Sequence, residues 1–333
     1  MPASQQSTDL MHAVYIERYA KNQKPKFGTQ PIPTAKANQV LINVKSASLN
    51  PRDWLLMRGI YPFKKLAEPF PIILGSDMSG TVVACGRDVT TLKVGDDVFG
   101  MQPIKGKFGA LAEYAAIDAS AVALKPVGVS HSDAAAMPCA GMTSFQTLRD
   151  LAKIRKGEHI LINGASGGVG SYAVQMATVM GAKVTAVCGP SNQQLCKDLG
   201  AIETIDYKTE NFETGENRYD VVYDVIGRSS PKKCKKCLRK NGRYITTIPS
   251  LDTAFQSLIS KILKAFGFGG GRTAHLILVK PNGADLAAMA DLITSNRMKS
   301  LIDSVYPIDE TDKAFGRIQT WRAKGKVVVE ISK

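Results

Sequence analysis

A glycine-rich turn between two apolar segments constrains the fold of this 333-residue chain more than any other feature. The β-branched run His159–Asn163 leads into the turn Gly-Ala-Ser-Gly-Gly-Val-Gly (164–170). A helix of small residues is predicted over Ser171–Met180, and a second apolar strand over Lys183–Cys188. This order predicts a βαβ unit in a parallel sheet. Glycines here let a pyrophosphate approach the first amides of the helix, whose dipole favours negative charge, so the segment predicts a dinucleotide-binding site.

The end of the second predicted strand indicates which nucleotide binds. NAD sites usually carry an Asp or Glu there, which accepts hydrogen bonds from the ribose 2′-OH. Here residues 159–197 contain no carboxylate, and the strand ends in Cys-Gly-Pro-Ser-Asn (188–192). Ser191 and Asn192 can donate hydrogen bonds to a 2′-phosphate. Ser191 can also cap a helix over 192–199, as an alternative or an additional role. The pattern favours NADPH.

The flanking segments predict two domains of the α/β class. Residues 12–127 contain short apolar or alternating runs separated by glycine turns, as in a compact β-rich domain. Three strands are predicted to continue the parallel sheet after the glycine turn: Asp220–Val225, Arg243–Ile248 and His275–Val279. A helix is predicted over 284–296, and a final strand over Lys326–Ile331 is predicted to return to the first domain.

These elements place the β-rich domain at 1–127 and 281–333, and the dinucleotide-binding domain at 128–280. The exposed edge of the last sheet strand, near His275–Val279, suits a sheet-extending homodimer.

The net charge of +14 is concentrated in one segment. Residues 228–272 contain eleven Lys or Arg and one acidic residue, so their formal charge is +10. One interpretation is a solvated helix face followed by a loop over the cofactor cleft. The alternative is a patch for an anionic membrane surface. Nucleic acid is not expected as a partner, because no recognition helix or aromatic stacking array accompanies the charge.

Cysteine usage and the amino terminus indicate the compartment. Six scattered cysteines favour a reducing compartment. Only Cys234 and Cys237 form a C-x-x-C motif, which is interpreted as one face of a surface helix rather than as a redox or metal site. The first ten residues lack an apolar signal core, and no apolar run approaches the roughly 20 residues of a bilayer span. A cytoplasmic location is expected, with peripheral attachment to an organelle envelope as the alternative.

Ordered motifs along nearly the whole chain resemble the medium-chain dehydrogenase/reductase superfamily, in its zinc-free quinone oxidoreductase (zeta-crystallin-like) branch. Besides the glycine turn, the motifs are Asn50-Pro-x-Asp53, Arg58-Gly-x-Tyr61-Pro62, Gly75-x-Asp77-x-Ser79-Gly80-x-Val82, Val94-Gly-Asp-Asp-Val98, Gly109-Ala-Leu-Ala-Glu113-Tyr114, the segment from Tyr219-Asp220 to Gly227, and Gly325-Lys326-Val-Val328. Within the branch, CGPSNQQLCKDLGA followed by IDYKTE is similar to the chloroplast-envelope quinone oxidoreductase homologues, a subgroup that includes NADPH-dependent alkenal/one oxidoreductases. The resemblance implies a Rossmann-type doubly wound parallel sheet and a GroES-like β-rich domain.

The resemblance also allows the metal chemistry to be compared. Zinc alcohol dehydrogenases carry a Cys near the position of Asn50, a Gly-His-Glu where this chain has Gly-Ser-Asp (75–77), and a four-cysteine lobe near residues 100–113, which lack cysteine here. Zn²⁺ needs Cys or His as its main ligands, so no metal is expected. Without a Lewis acid, hydride delivery to an enone or quinone is favoured over reversible alcohol oxidation.

What the resemblance implies for the site is a set of residues with expected roles. Tyr61 and Asn50 are the expected catalytic residues, with Tyr61 polarising a carbonyl or relaying a proton. Leu55 and Gln146 replace aromatic residues of some relatives, so solvent is an alternative proton donor. The expected contacts to NADPH are Asn50, Thr143, Ala165, Ser166, Gly167, Gly168, Val169, Gly170, Ser191, Asn192, Tyr207, Ile226 and Lys326.

The implied function is NADPH-dependent reduction of quinones or of the C=C bond of enones and enals. An NADPH-binding scaffold or sensor at a membrane surface, without physiological turnover, is the alternative, because both functions need the same nucleotide site.

Overall fold

The computed structural model describes residues 9–62, 64–66, 69–103, 109–249, 253, 257 and 271–332. The chain divides into two compact units: unit 1 comprises Met1–Met142 and Lys280–Lys333, and unit 2 comprises Thr143–Val279. This division lies fifteen residues beyond the predicted boundary after residue 127. The physical reason is the helix His131–Ala136, which is anchored to unit 1 by a hydrogen bond between Ser79 Oγ and His131 Nδ1 (2.9 Å).

Unit 1 is the β-rich unit. Its strands are β1 (Leu10–Ile16), β2 (Lys26–Pro31), β3 (Gln39–Ser48), β4 (Ile72–Ile73), β5 (Asp77–Cys85), β6 (Asp97–Met101), β7 (Tyr114–Asp118), β8 (Val122–Leu124), β15 (Ile302–Pro307) and β16 (Lys326–Glu330). Its helices are α1 (Pro51–Met57), α2 (His131–Ala136), α6 (Gly283–Thr294) and α7 (Thr311–Gln319). A further helix, α3 (Pro138–Gln146), contains the division between the units.

Two sheets enclose the core of unit 1. One has the order β2-β1-β4, and the larger has the order β15-β16-β3-β5-β6-β8, with β7 also paired to β3. Strand β3 alternates between buried and half-buried side chains, so that Val40, Ile42 and Val44 all point into the core. Strand β16 pairs antiparallel with β3, which confirms that the carboxyl-terminal strand returns to the first domain.

Unit 2 is the parallel unit. Within its described residues, the strands are β9 (His159–Asn163), β10 (Lys183–Cys188), β11 (Glu203–Asp206), β12 (Tyr219–Asp224), β13 (Leu238–Thr246) and β14 (Thr273–Leu276), and the helices with both ends described are α4 (Gly168–Val179) and α5 (Gln193–Asp198). A short π-helix, Thr147–Ala152, precedes the sheet. All strands pair in parallel in the order β11-β10-β9-β12-β13-β14, the doubly wound Rossmann arrangement. The predicted α/β class is confirmed.

Several predicted boundaries differ from the structure by a few residues. Helix α4 begins at Gly168 rather than Ser171, because Gly167 is extended (φ −83°, ψ −178°) and its carbonyl already accepts the amide of Ser171. Strand β13 begins five residues before the predicted start, at Leu238, and β14 ends at Leu276 rather than Val279. Strand β14 is the outer strand of the described sheet, and the homodimer through it stays a prediction.

Candidate functional site

The glycine turn lies at the carboxyl end of β9, the central point where the strand order of unit 2 reverses. Gly164 has a left-handed backbone (φ +89°), and the amides of Gly164 and Ala165 both donate to the carbonyl of Val187 on β10 (3.1 Å each). The N-cap of α4 is Gly167, which has no side chain to bond the first amides of that helix. The first N–H groups of α4 therefore have no side-chain acceptor at the N-cap, as a pyrophosphate site requires.

Gly170 explains why the turn packs so closely on its helix. A Cβ atom built on Gly170 would lie 2.1 Å from the carbonyl oxygen of Gly164 and 2.7 Å from Cα of Ala165. Any side chain at this position would push the helix away from the turn. The predicted cofactor contacts from Ala165 to Gly170 thus lie together in the closely packed turn and the first residues of α4.

The end of β10 lies against the same turn. Asn192 Nδ2 donates to Ser166 Oγ (3.1 Å), so the structure brings these two predicted contacts together. Tyr207 is exposed, and its ring lies beside Gly189, 3.5–3.8 Å from a Cβ built there. Ser191 is exposed within a 3₁₀ turn (Pro190–Asn192); the N-cap of α5 is Asn192, so the alternative that Ser191 caps this helix is wrong.

A buried carboxylate, Asp224 at the end of β12, was not predicted as a site residue. Its two oxygens accept hydrogen bonds from Asn163 Nδ2 (2.9 Å), the amides of Gly227 (3.0 Å) and Ser229 (2.8 Å), and Tyr244 Oη (2.9 Å). These bonds fix the loop that carries the predicted contact Ile226, whose Cγ2 lies 2.7 Å from a Cβ built on Gly164. The available signal was an Asp at the carboxyl end of a buried strand, followed by glycine.

Unit 1 contains a second set of polar side chains, which are nearly all buried. Asn50, Ser76, Asp77 and Lys326 are 0–5% exposed. Lys326 Nζ donates to Asn50 Oδ1 (2.7 Å) and to Asp77 Oδ2 (3.2 Å), while Asn50 Nδ2 donates to Asp77 Oδ2 (3.0 Å) and Ser76 Oγ (3.2 Å). The structure therefore joins the predicted residues Asn50 and Lys326, although their contacts with a cofactor stay a prediction.

Tyr61 follows α1 in the same unit. Its ring is half-buried against the core cluster of unit 1, and burial raises the pKa of its phenol, so that the hydroxyl is protonated at neutral pH and can donate. Leu55 packs against this cluster as well. Thr143 and Gln146 are both about 6% exposed in unit 2, and the role of Thr143 stays a prediction.

Asp53 is structural, since its Oδ2 accepts the backbone N–H of Asn50 (2.7 Å) at the start of α1. Burial, opposed by Arg52 and by this hydrogen bond, raises its pKa from 3.8 to about 6. A carboxyl with a raised pKa holds its proton longer in the folded state. Its contribution to stability is thus complete below pH 4 and is lost as the pH rises through about 6.

Asp53→Asn is therefore expected to gain stability relative to the wild type as the pH rises from 4 to 7, by at most about 3 kcal/mol. Both tryptophans of the chain, Trp54 and Trp321, lie in unit 1, so tryptophan fluorescence in a urea titration follows this unit alone. A difference between variant and wild type that is constant across this pH range would contradict the assignment.

Cys234 and Cys237 differ from their predicted setting. They lie at a single 3₁₀ turn (Lys233–Lys235) rather than on a longer surface helix, and both are fully buried in the core of unit 2. All six cysteines are free. Within the described residues, no three His, Cys, Asp or Glu side chains group as ligands for a metal ion.

Known protein families match a segment of each of the two units. Residues 36–127 match the alcohol dehydrogenase GroES-like domain, and residues 199–329 match the zinc-binding dehydrogenase family. A chloroplast envelope quinone oxidoreductase homolog of Arabidopsis thaliana is 33% identical over 332 residues, covering 96% of this chain and 98% of the relative. A 2-methylene-furan-3-one reductase of Solanum lycopersicum is 36% identical over 307 residues, covering 90% and 73%. The structure of the quinone oxidoreductase from Coxiella burnetii superposes with a TM-score of 0.87 at 27% identity, covering 97% of this chain and 100% of the other.

Fold and site together define a Rossmann-type oxidoreductase with a GroES-like unit. The chain belongs to the medium-chain dehydrogenase/reductase superfamily, in its quinone oxidoreductase branch, as the sequence motifs predicted. No helix in the described part of the chain combines the length and the apolar character needed to cross a bilayer.

Proposed function

We propose that this protein is an NADPH-dependent reductase of quinones or of the C=C bond of α,β-unsaturated carbonyls. The observation that carries the cofactor assignment is the end of β10, where small and polar side chains, without a carboxylate, adjoin the glycine turn. A nicotinamide dinucleotide fits this unit because the turn is open to a pyrophosphate at the uncapped start of α4. The names of the Arabidopsis and tomato relatives support the substrate class.

The residues of unit 2 proposed to hold the cofactor are Thr143, the turn residues 165–170, Ser191, Asn192, Tyr207 and Ile226. Bound NADPH supplies a hydride. Tyr61 is proposed to donate a hydrogen bond to the carbonyl oxygen of the substrate, where negative charge develops as an enolate forms, and its raised pKa keeps the donor protonated. Conjugate delivery needs no metal, because the substrate's own carbonyl polarises the C=C bond.

Product analysis tests this function. With an enone and 4-deuterated NADPH, we expect the saturated carbonyl with deuterium on the β-carbon. Tyr61→Phe should lower kcat by less than the ~10²–10³-fold that follows loss of a sole oxyanion donor, because water can replace the hydroxyl. Deuterium on a carbinol carbon would reject conjugate reduction. Tight NADPH binding without turnover of any quinone, enal or enone would favour the scaffold or sensor.

A specific observation also supports contact with an anionic membrane surface. Four exposed lysines surround the 3₁₀ turn Lys233–Lys235, and they are named the lysine turn here: Lys232, Lys233, Lys235 and Lys236. Cys234 and Cys237, between and after them, are buried in the core of unit 2. Within the described residues none of the four lysines forms an ion pair, whereas the neighbouring Arg239 and Arg243 are paired with Asp220 and Glu158. Part of the predicted basic segment, 250–252, 254–256 and 258–270, lies outside the described residues.

Reversing the lysine turn tests this contact. Each basic residue near an anionic bilayer contributes about 1 kcal/mol, so K232E/K233E/K235E/K236E should weaken binding to phosphatidylserine vesicles by at least ~10²-fold. The control K93E/K156E/K183E/K197E changes the charge equally at exposed lysines elsewhere. A membrane patch would be contradicted if both variants lost the same affinity for the vesicles. It would also be contradicted if the wild-type protein bound RNA more tightly than vesicles.

A further inference from the structure

The polar residues buried in unit 1 form a closed arrangement around one carboxylate, Asp77. Oδ2 of Asp77 accepts hydrogen bonds from Lys326 Nζ (3.2 Å), Asn50 Nδ2 (3.0 Å) and Ser48 Oγ (3.1 Å), and Oδ1 accepts the amide of Cys139 (3.1 Å). Asp77 is 0% exposed, and the side chain of Lys326 is 4% exposed. The ammonium of Lys326 and the carboxylate of Asp77 thus form a buried ion pair.

The ammonium group also fixes the orientation of the Asn50 amide. An ammonium has only donors, so the amide atom that faces Lys326 at 2.7 Å is the oxygen. The amide nitrogen is thereby directed at Asp77 and Ser76, and both of its hydrogens have acceptors. The orientation of Asn50 follows from the charge of Lys326.

This donor set does not fit a zinc ion. The zinc-binding dehydrogenase family that matches residues 199–329 implies zinc. The resemblance to zinc alcohol dehydrogenases places their ligands near the positions of Asn50, Ser76 and Asp77 here. Zn²⁺ needs thiolate or imidazole ligands, which an amide and a hydroxyl do not replace. The one strong oxygen ligand, Asp77, is already neutralised by an ammonium in direct contact, and a dication beside that ammonium would be repelled.

We propose that the ammonium group of Lys326 is the built-in cation of this site and takes the place that a metal ion holds in zinc-dependent relatives. Neutral Asn50 and Ser76 are compatible with a lysine beside Asp77, whereas a thiolate and an imidazole would be compatible with a metal. The inference concerns residues of unit 1 alone and stands whether or not the proposed quinone or enone reduction is correct.

Metal binding by grafted variants tests the proposal. N50C/S76H supplies a thiolate and an imidazole next to Asp77, and N50C/S76H/K326M also removes the ammonium. We expect the triple variant to bind Co²⁺ at least 100-fold more tightly than the double variant, with the visible absorption bands of thiolate-bound Co²⁺. Zn²⁺ should raise the melting temperature of the triple variant and leave that of the double variant unchanged. K326Q replaces K326M in this background if the latter does not fold.

Wild-type protein supplies a second measurement that needs no variant. Elemental analysis should find no stoichiometric zinc, and a chelator should leave the melting temperature unchanged. Zinc in a one-to-one ratio with the wild-type chain overturns the proposal. Co²⁺ affinity of the double variant within tenfold of the triple variant also overturns it, as does a folded triple variant that takes up no Co²⁺, because the lysine would then not be what excludes the metal.

Discussion

Replacing Lys326 with methionine is expected to lower the free energy of unfolding of unit 1 by about 3–5 kcal/mol. The substitution removes the ammonium and leaves the ionised carboxylate of Asp77 at 0% exposure without a balancing charge. Asp77→Asn should cost a similar amount, because it leaves the ammonium of Lys326 unbalanced. The double variant D77N/K326M removes both charges of this pair and should recover most of the loss. A urea titration followed by tryptophan fluorescence measures all three variants in unit 1.

The double-mutant cycle separates this ion pair from ordinary packing. If Lys326 and Asp77 depend on each other, the loss in the double variant will be smaller than the sum of the single losses by 2 kcal/mol or more, roughly the coupling of directly contacting residues. Lys313→Met is a matched control, because Lys313 pairs with Glu310 at the surface and both side chains are at least 40% exposed. The free energy of unfolding of the Lys313→Met variant should therefore equal that of the wild type. Additive losses at Lys326 and Asp77 would mean that their charges are not coupled.

The contact between Lys326 and Asn50 also shows what the sequence alone does not reveal. The two residues are 276 positions apart, and no local pattern indicates that they meet. A lysine is rarely buried, so its position at the start of the apolar strand β16 was the available signal that Lys326 has a specific partner. The sequence indicated that Asn50, Ser76 and Asp77 cannot form a zinc site, but only the fold shows which cation lies beside them.

Unit 2 was more predictable, because its signals are local. The order of apolar strand, glycine turn, small-residue helix and apolar strand specifies β9, α4 and β10 without knowledge of distant contacts. The start of α4 was misplaced because Gly168 and Gly170 have low helix propensity, whereas the structure uses both inside the helix. Helix α2 falls within the predicted dinucleotide-binding domain, whereas the contact-based division groups it with unit 1. Its contacts there include a hydrogen bond from His131 to Ser79, on a strand 52 positions earlier, which no local pattern reveals.

The strongest test of the cofactor site is Gly189→Asp, which is expected to reverse the proposed preference for NADPH in favour of NADH. Gly189 follows β10, where NAD-binding proteins carry their ribose-binding carboxylate. Its backbone is extended (φ −78°, ψ 162°), which any residue adopts, and a Cβ there makes only ordinary contacts with Tyr207, at 3.5 Å or more. An Asp therefore fits without strain, and its carboxylate would face a ribose hydroxyl or a phosphate bound at this end of the strand.

The magnitude follows from charge. A carboxylate beside a 2′-phosphate is repelled by about 1–3 kcal/mol, while a 2′-OH gains a hydrogen bond of about 1 kcal/mol, so the ratio of the two affinities should change by roughly 30- to 1000-fold. Wild-type protein should bind NADPH at least ~10-fold more tightly than NADH, which calorimetric titration measures directly. Gly189→Asn matches aspartate in shape but carries no charge, and it should keep the preference for NADPH. If the asparagine and aspartate variants shift the ratio equally, shape rather than charge selects the nucleotide, and the missing carboxylate does not determine the proposed preference for NADPH.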